Sequence, residues 1–573
     1  MVPTIASMSI EPGFRSHLLR KYPKLDWNPK SGRKNEGMRG NGEAAESRGV
    51  RGITFLLGLC LVTGLAAPST AAPGRPNVVI FLADDLGWKD VGFHGGPIDT
   101  PHIDRLAREG VELSRFYVTP ICSPTRAALM TGRDPIKLGI AYGVIDAWDN
   151  HGVHPEERFL SEAFRAAGYQ TAAIGKWHLG HAQETYLPNS RGFDHFYGHL
   201  NTEVGYFPPF AAQGGKDFQR NGKSVEDDGY ETFLLAEEAV RWIRERDKSR
   251  PFLLYMPFLA PHTPLDAPEA LEAKYADLSD DRKAPRGTMD WSRYLRFVGM
   301  KSLRQVYAAV VDGMDQAVGR VLATLDDEGL AENTIVLFFS DNGGMTTFGV
   351  GGADNAPLRG GKGETFEGGI RVISVMRWPG HLEAGGRMDR IMSVMDVFPT
   401  LAAAAGIEVG AEKPLDGIDM WPVISEGKKV RRGGYLFFAS EIPRHGSFKL
   451  TAFDDEWKLV QFVEQDIQST TVQNMLFRIG EDPYEYNDLA SQHPDVVADL
   501  SERIYEWRSQ YPINGTRVRL MPPPGWRAPK DWATYPIPER ELQEGPAPGY
   551  APDAFKLRAL DWIHRGRGRL IYE

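Results

Sequence analysis

The chain has 573 residues, 42% of them hydrophobic and 25% charged, values of a globular protein with room for one large domain and a smaller one. A formal net charge of −10 argues against nucleic acid as a partner and against broad capture of a polyanion. An anionic substrate would therefore have to meet a local cationic pocket.

Residues 1–37 show no apolar periodicity, and a start at Met38 gives a more ordinary leader. Arg39, Arg48 and Arg51 precede an apolar run from Ile53 to Ala67, and Ser69-Thr70-Ala71 offers a small-x-small cleavage site. The run falls short of the about 20 apolar residues that span a bilayer. Residues 38–71 are thus read as a cleaved signal peptide with no stable membrane anchor, and the protein as secreted or periplasmic. Cys60 leaves with the leader, so Cys122 cannot form an internal disulfide and stability rests on core packing.

Asn77 to Leu82 is a nearly continuous apolar run, as expected of a parallel strand covered on both faces. It leads into Asp84-Asp85. Next comes Cys122-Ser123-Pro124-Thr125-Arg126, which alone is a weak pattern because a free cysteine is usually a small buried hydrophobe. Two further strands follow. Tyr169 to Ile174 leads into Gly175-Lys176-Trp177-His178-Leu179-Gly180, and Pro251 to Met256 leads to Pro261-His262-Thr263-Pro264. Apolar residues three and four apart from Val306 to Leu325 predict a helix ending near Gly329, with Asp312 and Asp315 on a solvated or capping face.

Thr334 to Phe339 predicts another buried strand, ending in Asp341-Asn342. In an open α/β sheet ligands bind at the carboxyl ends of the strands, so the two acidic ends can share one crevice. Adjacent buried carboxylates repel unless a cation lies between them. Asp84, Asp85, Asp341 and Asn342 offer only hard oxygens, which suit Ca²⁺ or Mg²⁺ and suit zinc poorly. Each pair alone reads as an ordinary Asp/Asn turn, and their joint occurrence favours a metal. The glycine-rich Pro357 to Gly363 brings backbone amides and Lys362 toward an anion.

After Gly427 the pattern shifts to short strand-like runs, Tyr435 to Phe438, Phe448 to Phe453, Trp457 to Val463 and Met475 to Ile479, then a helix over Asp495 to Trp507. The organisation read from this is a catalytic domain over 72–427, a small α+β subdomain over 428–511, and a Pro-rich tail over 512–573 that wraps the surface.

The ordered motifs NVVIFLADDLGW, CSPTRAALMTGR, GYQTAAIGKWHLG, RGFDHFYG, APHTP, VLFFSDNGG, PLRGGKGETFEGGIRV and LFRIGEDPYEYNDLA resemble the type I sulfatase family along nearly the whole mature chain, most of all its arylsulfatase B (N-acetylgalactosamine 4-sulfatase) branch. The resemblance implies an alkaline-phosphatase-like fold. This is an α/β architecture with a large mixed, mainly parallel sheet, helices on both faces, and a small C-terminal antiparallel sheet with a helix. It implies that a formylglycine-generating enzyme oxidises Cys122 to an aldehyde. It also implies one Ca²⁺, with Mg²⁺ as the alternative, held by Asp84, Asp85, Asp341, Asn342 and the modified Cys122. In the implied mechanism the hydrated aldehyde attacks sulfur and forms a covalent sulfate ester, with Arg126 beside the nucleophile and Lys176 and Lys362 on the sulfuryl oxygens. His262 protonates the leaving alcohol, and His178 takes the proton that lets sulfate depart. Thr125 stands where serine is commoner, and the hydroxyl is retained.

The substrate implied is a sulfated carbohydrate or aryl sulfate. A phosphonate monoester or phosphodiester hydrolase on the same scaffold is the nearest rival. An inactive carbohydrate-binding relative would be expected to lack Cys122, Arg126 or an Asp ligand. A two-metal zinc phosphatase is disfavoured because the second strand end reads Asp341-Asn342 and no histidine ligand cluster follows. Segments 141–154, 201–213 and 346–355, rich in Gly, Asn or aromatics, are candidates for substrate contact and read equally as exposed connections.

Overall fold

The run Val78 to Ala83 is buried on both sides, and its alternate side chains enter two different cores, as a strand between two helical layers requires. The structure is a computed structural model describing residues 74–278, 302–346, 351–430, 432–442, 447–465, 469–512, 522–534 and 569–571. Residues 1–37, the segment 38–71 read above as a leader, and most of the tail lie outside these.

Ten strands form the large sheet, in the order Gly386–Met388, Val111–Leu113, Ser374–Arg377, Thr334–Ser340, Asn77–Ala83, Phe252–Pro257, Gln170–Lys176, His195–His199, Gln219–Arg220 and Lys223–Ser224. The five from Thr334–Ser340 to His195–His199 are mutually parallel. Ser374–Arg377 and Gln219–Arg220 run against them, so the sheet is mixed and mainly parallel as expected. All five carboxyl ends therefore open on one edge. Pairing of Ala83 with Ser340 sets Asp84 beside Asp341, and pairing of Lys176 with His199 aligns two more polar ends.

On one face Val78, Ile80 and Leu82 pack with the helices Cys122–Thr131, Leu160–Ala166 and Val397–Ala404. On the other, Val79 and Phe81 pack with Pro101–Glu109, Glu231–Glu245 and Leu303–Asp327. Ser302 caps this last helix through its side chain, which accepts from Gln305 N–H. The expectation of a solvated or capping face holds for Asp315, which caps, and needs correction for Asp312. Both are buried: Asp315 caps Pro101–Glu109 by accepting from the N–H groups of His102 and Ile103, whereas Asp312 accepts from Lys274 Nζ at 2.7 Å and the Tyr275 hydroxyl at 2.8 Å.

The small sheet orders Leu436–Ile442, Ser447–Phe453, Lys458–Gln465, Ser469–Phe477 and Arg569–Ile571, all antiparallel, with helix Pro494–Arg508 packed through Leu500, Ile504 and Trp507. Its fourth strand begins six residues before the predicted Met475, because Ser469 to Asn474 alternates too weakly to read as a strand. Its fifth comes from the tail, where no strand was expected.

Candidate active site

Cys122 opens the helix Cys122–Thr131, its side chain buried and Sγ 3.5 Å from Asp84 Oδ1. Burial, then the charges of Asp341 and Asp84, push its thiol well above the ordinary range. Thr125 uses its hydroxyl to accept from Thr119 N–H at 3.0 Å and exchange a hydrogen bond with the Thr119 hydroxyl at 2.7 Å. The threonine thus fastens the turn that enters the helix.

Arg126 ties the two acidic strand ends together. Its Nη2 donates to Asp84 Oδ2 at 3.0 Å and to Asp341 Oδ2 at 2.8 Å, while Nη1 donates to the Lys176 carbonyl at 2.9 Å. Lys176 Nζ lies 2.5 Å from Asp84 Oδ2. Lys362 Nζ lies 2.7 Å from Asp85 Oδ1 and 2.8 Å from its Oδ2. Lys176 reaches this point because Gly175, at φ 136°, lets the strand close on its neighbour; a Cβ there would meet the Pro257 carbonyl at 1.8 Å. Asp85 at φ 70° and His178 at φ 59° occupy the left-handed region, a conformation that the surroundings must impose on a non-glycine residue.

The carboxylates do not share their charge evenly. Burial alone would raise Asp84, but Lys176, His262 and Arg126 outweigh it and hold the group well below the usual range. Burial and the Asp84 charge push Asp341 up to about 7. For Lys362, burial is outweighed by Asp85, Cys122 and Asp84, which hold its ammonium well above the usual value.

The buried oxygens of Asp84, Asp85, Asp341 and Asn342 suit a hard divalent cation. Ligand atoms from Asp84, Asp85, Cys122 and His262 lie within 4.8 Å of one another, all buried. Asn342 donates through Nδ2 to Asp85 Oδ1 at 2.6 Å, whereas its buried Oδ1 has no hydrogen-bond partner among the described residues. An orphaned amide oxygen beside carboxylates is what a cation ligand looks like.

The two histidines hold different tautomers. His178 Nε2 lies 3.1 Å from the Ile145 carbonyl, which can only accept, so Nε2 carries the proton and Nδ1, without a hydrogen-bond partner among the described residues, keeps a free lone pair. Burial, Lys176 and Arg126 hold its pKa well below the ordinary value. His262 bonds the Thr263 carbonyl through Nδ1, which also lies 3.5 Å from Glu203 Oε2, and its Nε2 lies 3.8 Å from Asp85 Oδ2. Burial, Lys362 and Lys176 push it down to about 4.

All ten residues singled out in the sequence thus meet in one buried crevice. Three others were missed. Ser123 accepts from Ile145 N–H at 3.1 Å and donates to the His178 carbonyl at 3.0 Å. Glu203 approaches His262 from a segment read either as a substrate contact or as an exposed connection. His199, fully buried beside Lys176, has both ring nitrogens without hydrogen-bond partners among the described residues; its place at the end of the RGFDHFYG strand was the available signal. Asn355, in another candidate segment, turns inward instead, bonding Gly344 in both directions and Gly360.

Known proteins resemble this chain over most of its length. Residues 76–407 match the model of the Sulfatase family, and residues 362–510 that described as N-sulphoglucosamine sulphohydrolase, C-terminal. Arylsulfatase J of Mus musculus is 31% identical over 498 residues, covering 79% of this chain and 78% of that protein. N-acetylgalactosamine-6-sulfatase of Canis lupus familiaris is 33% identical, covering 82% and 94%. The solved structure of Ps i-CgsB in complex with k-i-k-neocarrahexaose superposes with a TM-score of 0.66 at 33% identity, over 76% of this chain and 94% of that one. The phosphonate monoester hydrolase of Agrobacterium radiobacter shares the fold, with a TM-score of 0.53 at 21% identity over 76% and 96%. The chain belongs to the sulfatase family and is a sulfuric ester hydrolase. Among the described residues no helix is long and apolar enough to cross a membrane.

Proposed function

We propose that the protein, exported through a leader at 38–71, removes sulfate from a sulfated carbohydrate, after a formylglycine-generating enzyme has converted Cys122. The organisation proposed is a catalytic domain over 72–427 with a subdomain over 428–511. The observation that carries the reading is one crevice holding residue 122, three carboxylates, three cations and two histidines of opposite tautomer. Conversion of Cys122 is supported by its own surroundings: a thiol held protonated by burial and two carboxylates is a poor nucleophile.

Asp84, Asp85, Asp341, Asn342 and residue 122 would hold Ca²⁺. In place, the hydrated aldehyde would supply the attacking oxygen and the ion a Lewis acid. The chain's own charges suit an anion. Asp84, Asp85 and Asp341 balance Arg126, Lys176 and Lys362, so a bound divalent ion leaves the crevice net positive, and the two lysines can turn toward sulfate oxygens. Arg126 keeps both acidic strand ends beside residue 122. His178 Nδ1, with its free lone pair, accepts a proton. His262 donates one to the leaving oxygen: the Asp85 and Glu203 carboxylates flank its ring and favour the imidazolium, and an arriving sulfate anion opposes the two lysines that disfavour it.

The test is kcat/KM for nitrocatechol sulfate beside an aryl phosphonate monoester, with metal content measured on the same sample. The proposal expects sulfate to be preferred and calcium to be stoichiometric. Preference for the phosphonate, or stoichiometric zinc, would contradict it.

A further inference from the structure

Three segments far apart in sequence meet beside the two histidines, and the sulfate site itself does not explain their side chains. Residues 141–154 are pinned by Ile145, which bonds both Ser123 and His178. Residues 201–216 are pinned by Tyr206, whose hydroxyl donates to the His262 carbonyl at 2.9 Å, and by Glu203. Residues 522–534 lie beyond the spans matched by either family model and dock on the second segment. Lys216 N–H donates to the Lys530 carbonyl at 3.0 Å, Trp532 N–H to the Lys216 carbonyl at 2.9 Å, and Trp532 Nε1 to the Gly214 carbonyl at 3.0 Å. A Cβ on Gly215 would meet the Pro529 carbonyl at 2.1 Å, so the seam is close-fitting. Ala147, Ala211, Trp526, Ala528 and Trp532 form one apolar cluster that joins all three.

This seam presents rings and carboxyl groups. Trp148 and Trp526 meet edge to face at 6.0 Å, and both remain partly exposed. Phe207 and Phe210, on the turn closed by the Val204–Ala211 bridge, are 51% and 58% exposed, at odds with the burial that such rings favour when only folding is at stake. Asp146 follows Ile145 directly. Burial, then Asp149 and Glu203, push its carboxyl up to about 7. Neither Asp146 nor Glu203 has an ion pair with Lys or Arg among the described residues.

We propose that the seam is a subsite for an uncharged pyranose ring joined to the sulfated unit, stacked against Trp148 and Trp526, with Asp146 and Glu203 accepting hydrogen bonds from its hydroxyls. Sugar hydroxyls can donate to carboxylates and sugar C–H faces can lie on indole rings, so both features of the seam are used. A uronate or a further sulfate in this place would add an anion to the acids already there and is disfavoured. The inference rests on the sulfatase reading and deepens it: the substrate is an oligosaccharide whose sulfated unit has a neutral neighbour.

The test compares kcat/KM for nitrocatechol sulfate, a sulfated monosaccharide, its disaccharide with a neutral hexose, and the matching disaccharide with a uronic acid. The neutral disaccharide is expected to exceed the monosaccharide by about tenfold or more. Trp526→Ala should bring that ratio toward one and Trp526→Phe should retain most of it. Asp146→Asn should narrow the preference for the neutral over the uronate disaccharide. A wild-type ratio near one, or variants that slow all four substrates alike, would overturn the subsite while leaving sulfate hydrolysis intact. Failure of the wild-type protein on every sulfate ester, nitrocatechol sulfate included, would overturn the underlying reading and the subsite with it.

Discussion

Two buried ion clusters in this protein differ in what they leave open. At the junction of the large and small sheets, Lys458 lies 2.8 Å from both Glu367 and Glu485, Tyr117 donates to Glu367 at 3.0 Å, and Glu367 N–H donates to Glu485 at 2.8 Å. Each carboxyl oxygen there faces Lys458, the Tyr117 hydroxyl or an N–H, Glu485 Oε1 through its ion pair with Lys458 alone, and the cluster joins strand Lys458–Gln465 to the helix Glu367–Ile370. The crevice at the strand ends is just as buried and just as rich in ion pairs, yet among the described residues Asn342 Oδ1 and His178 Nδ1 have no hydrogen-bond partner and, unlike Glu485 Oε1, no ion pair either. Buried charge alone therefore marks no site. Several such atoms converging among balanced charges at one strand edge are what set the crevice apart.

The sharpest way to separate the two clusters is to remove one group from each. Cys122→Ser should lower kcat/KM for nitrocatechol sulfate by about 10⁴-fold or more, roughly 5.5 kcal/mol of barrier, because serine offers no aldehyde. Its thermal unfolding should stay close to wild type, since Sγ makes one long contact. Comparable activity in the serine variant would place the nucleophile elsewhere.

Lys458→Met should do the reverse. It leaves two buried carboxyl groups without their cation and should cost about 3–5 kcal/mol of stability, read by denaturant unfolding. The fraction that stays folded should keep the KM of the wild type. A loss below about 1 kcal/mol would mean that the junction is not the structural cluster described here.

The histidines divide the crevice itself, with losses of about 10²–10⁴-fold expected for a proton-transfer residue. His262→Ala should harm a sugar sulfate far more than nitrocatechol sulfate, whose leaving group needs little protonation. His178→Ala should release a burst of one phenol per site and then turn over slowly, because it acts after the ester bond has broken. Equal losses for both leaving groups, or no burst, would reverse or displace these roles.

Much of the crevice was legible because parallel strands put short, recognisable motifs at one edge: Asp84-Asp85, Lys176, His262 and Asp341-Asn342 each follow an apolar run. The short strands Val111–Leu113 and Gly386–Met388 escaped notice, since three residues carry too little periodicity to read. Asp312 was misread because an aspartate on an amphipathic helix looks solvated until Lys274 and Tyr275, brought in by tertiary packing, are seen to cover it. Glu203 and His199 carry no motif of their own, and only the fold sets them beside His262 and Lys176.

The central claim is that residue 122 is no longer cysteine in the working protein. Mass spectrometry of active enzyme purified from its native host, on the tryptic peptide Phe116–Arg126, tests it directly. The account predicts the aldehyde or its hydrate at position 122, in an amount that tracks specific activity. A fully unmodified thiol in active protein would contradict it.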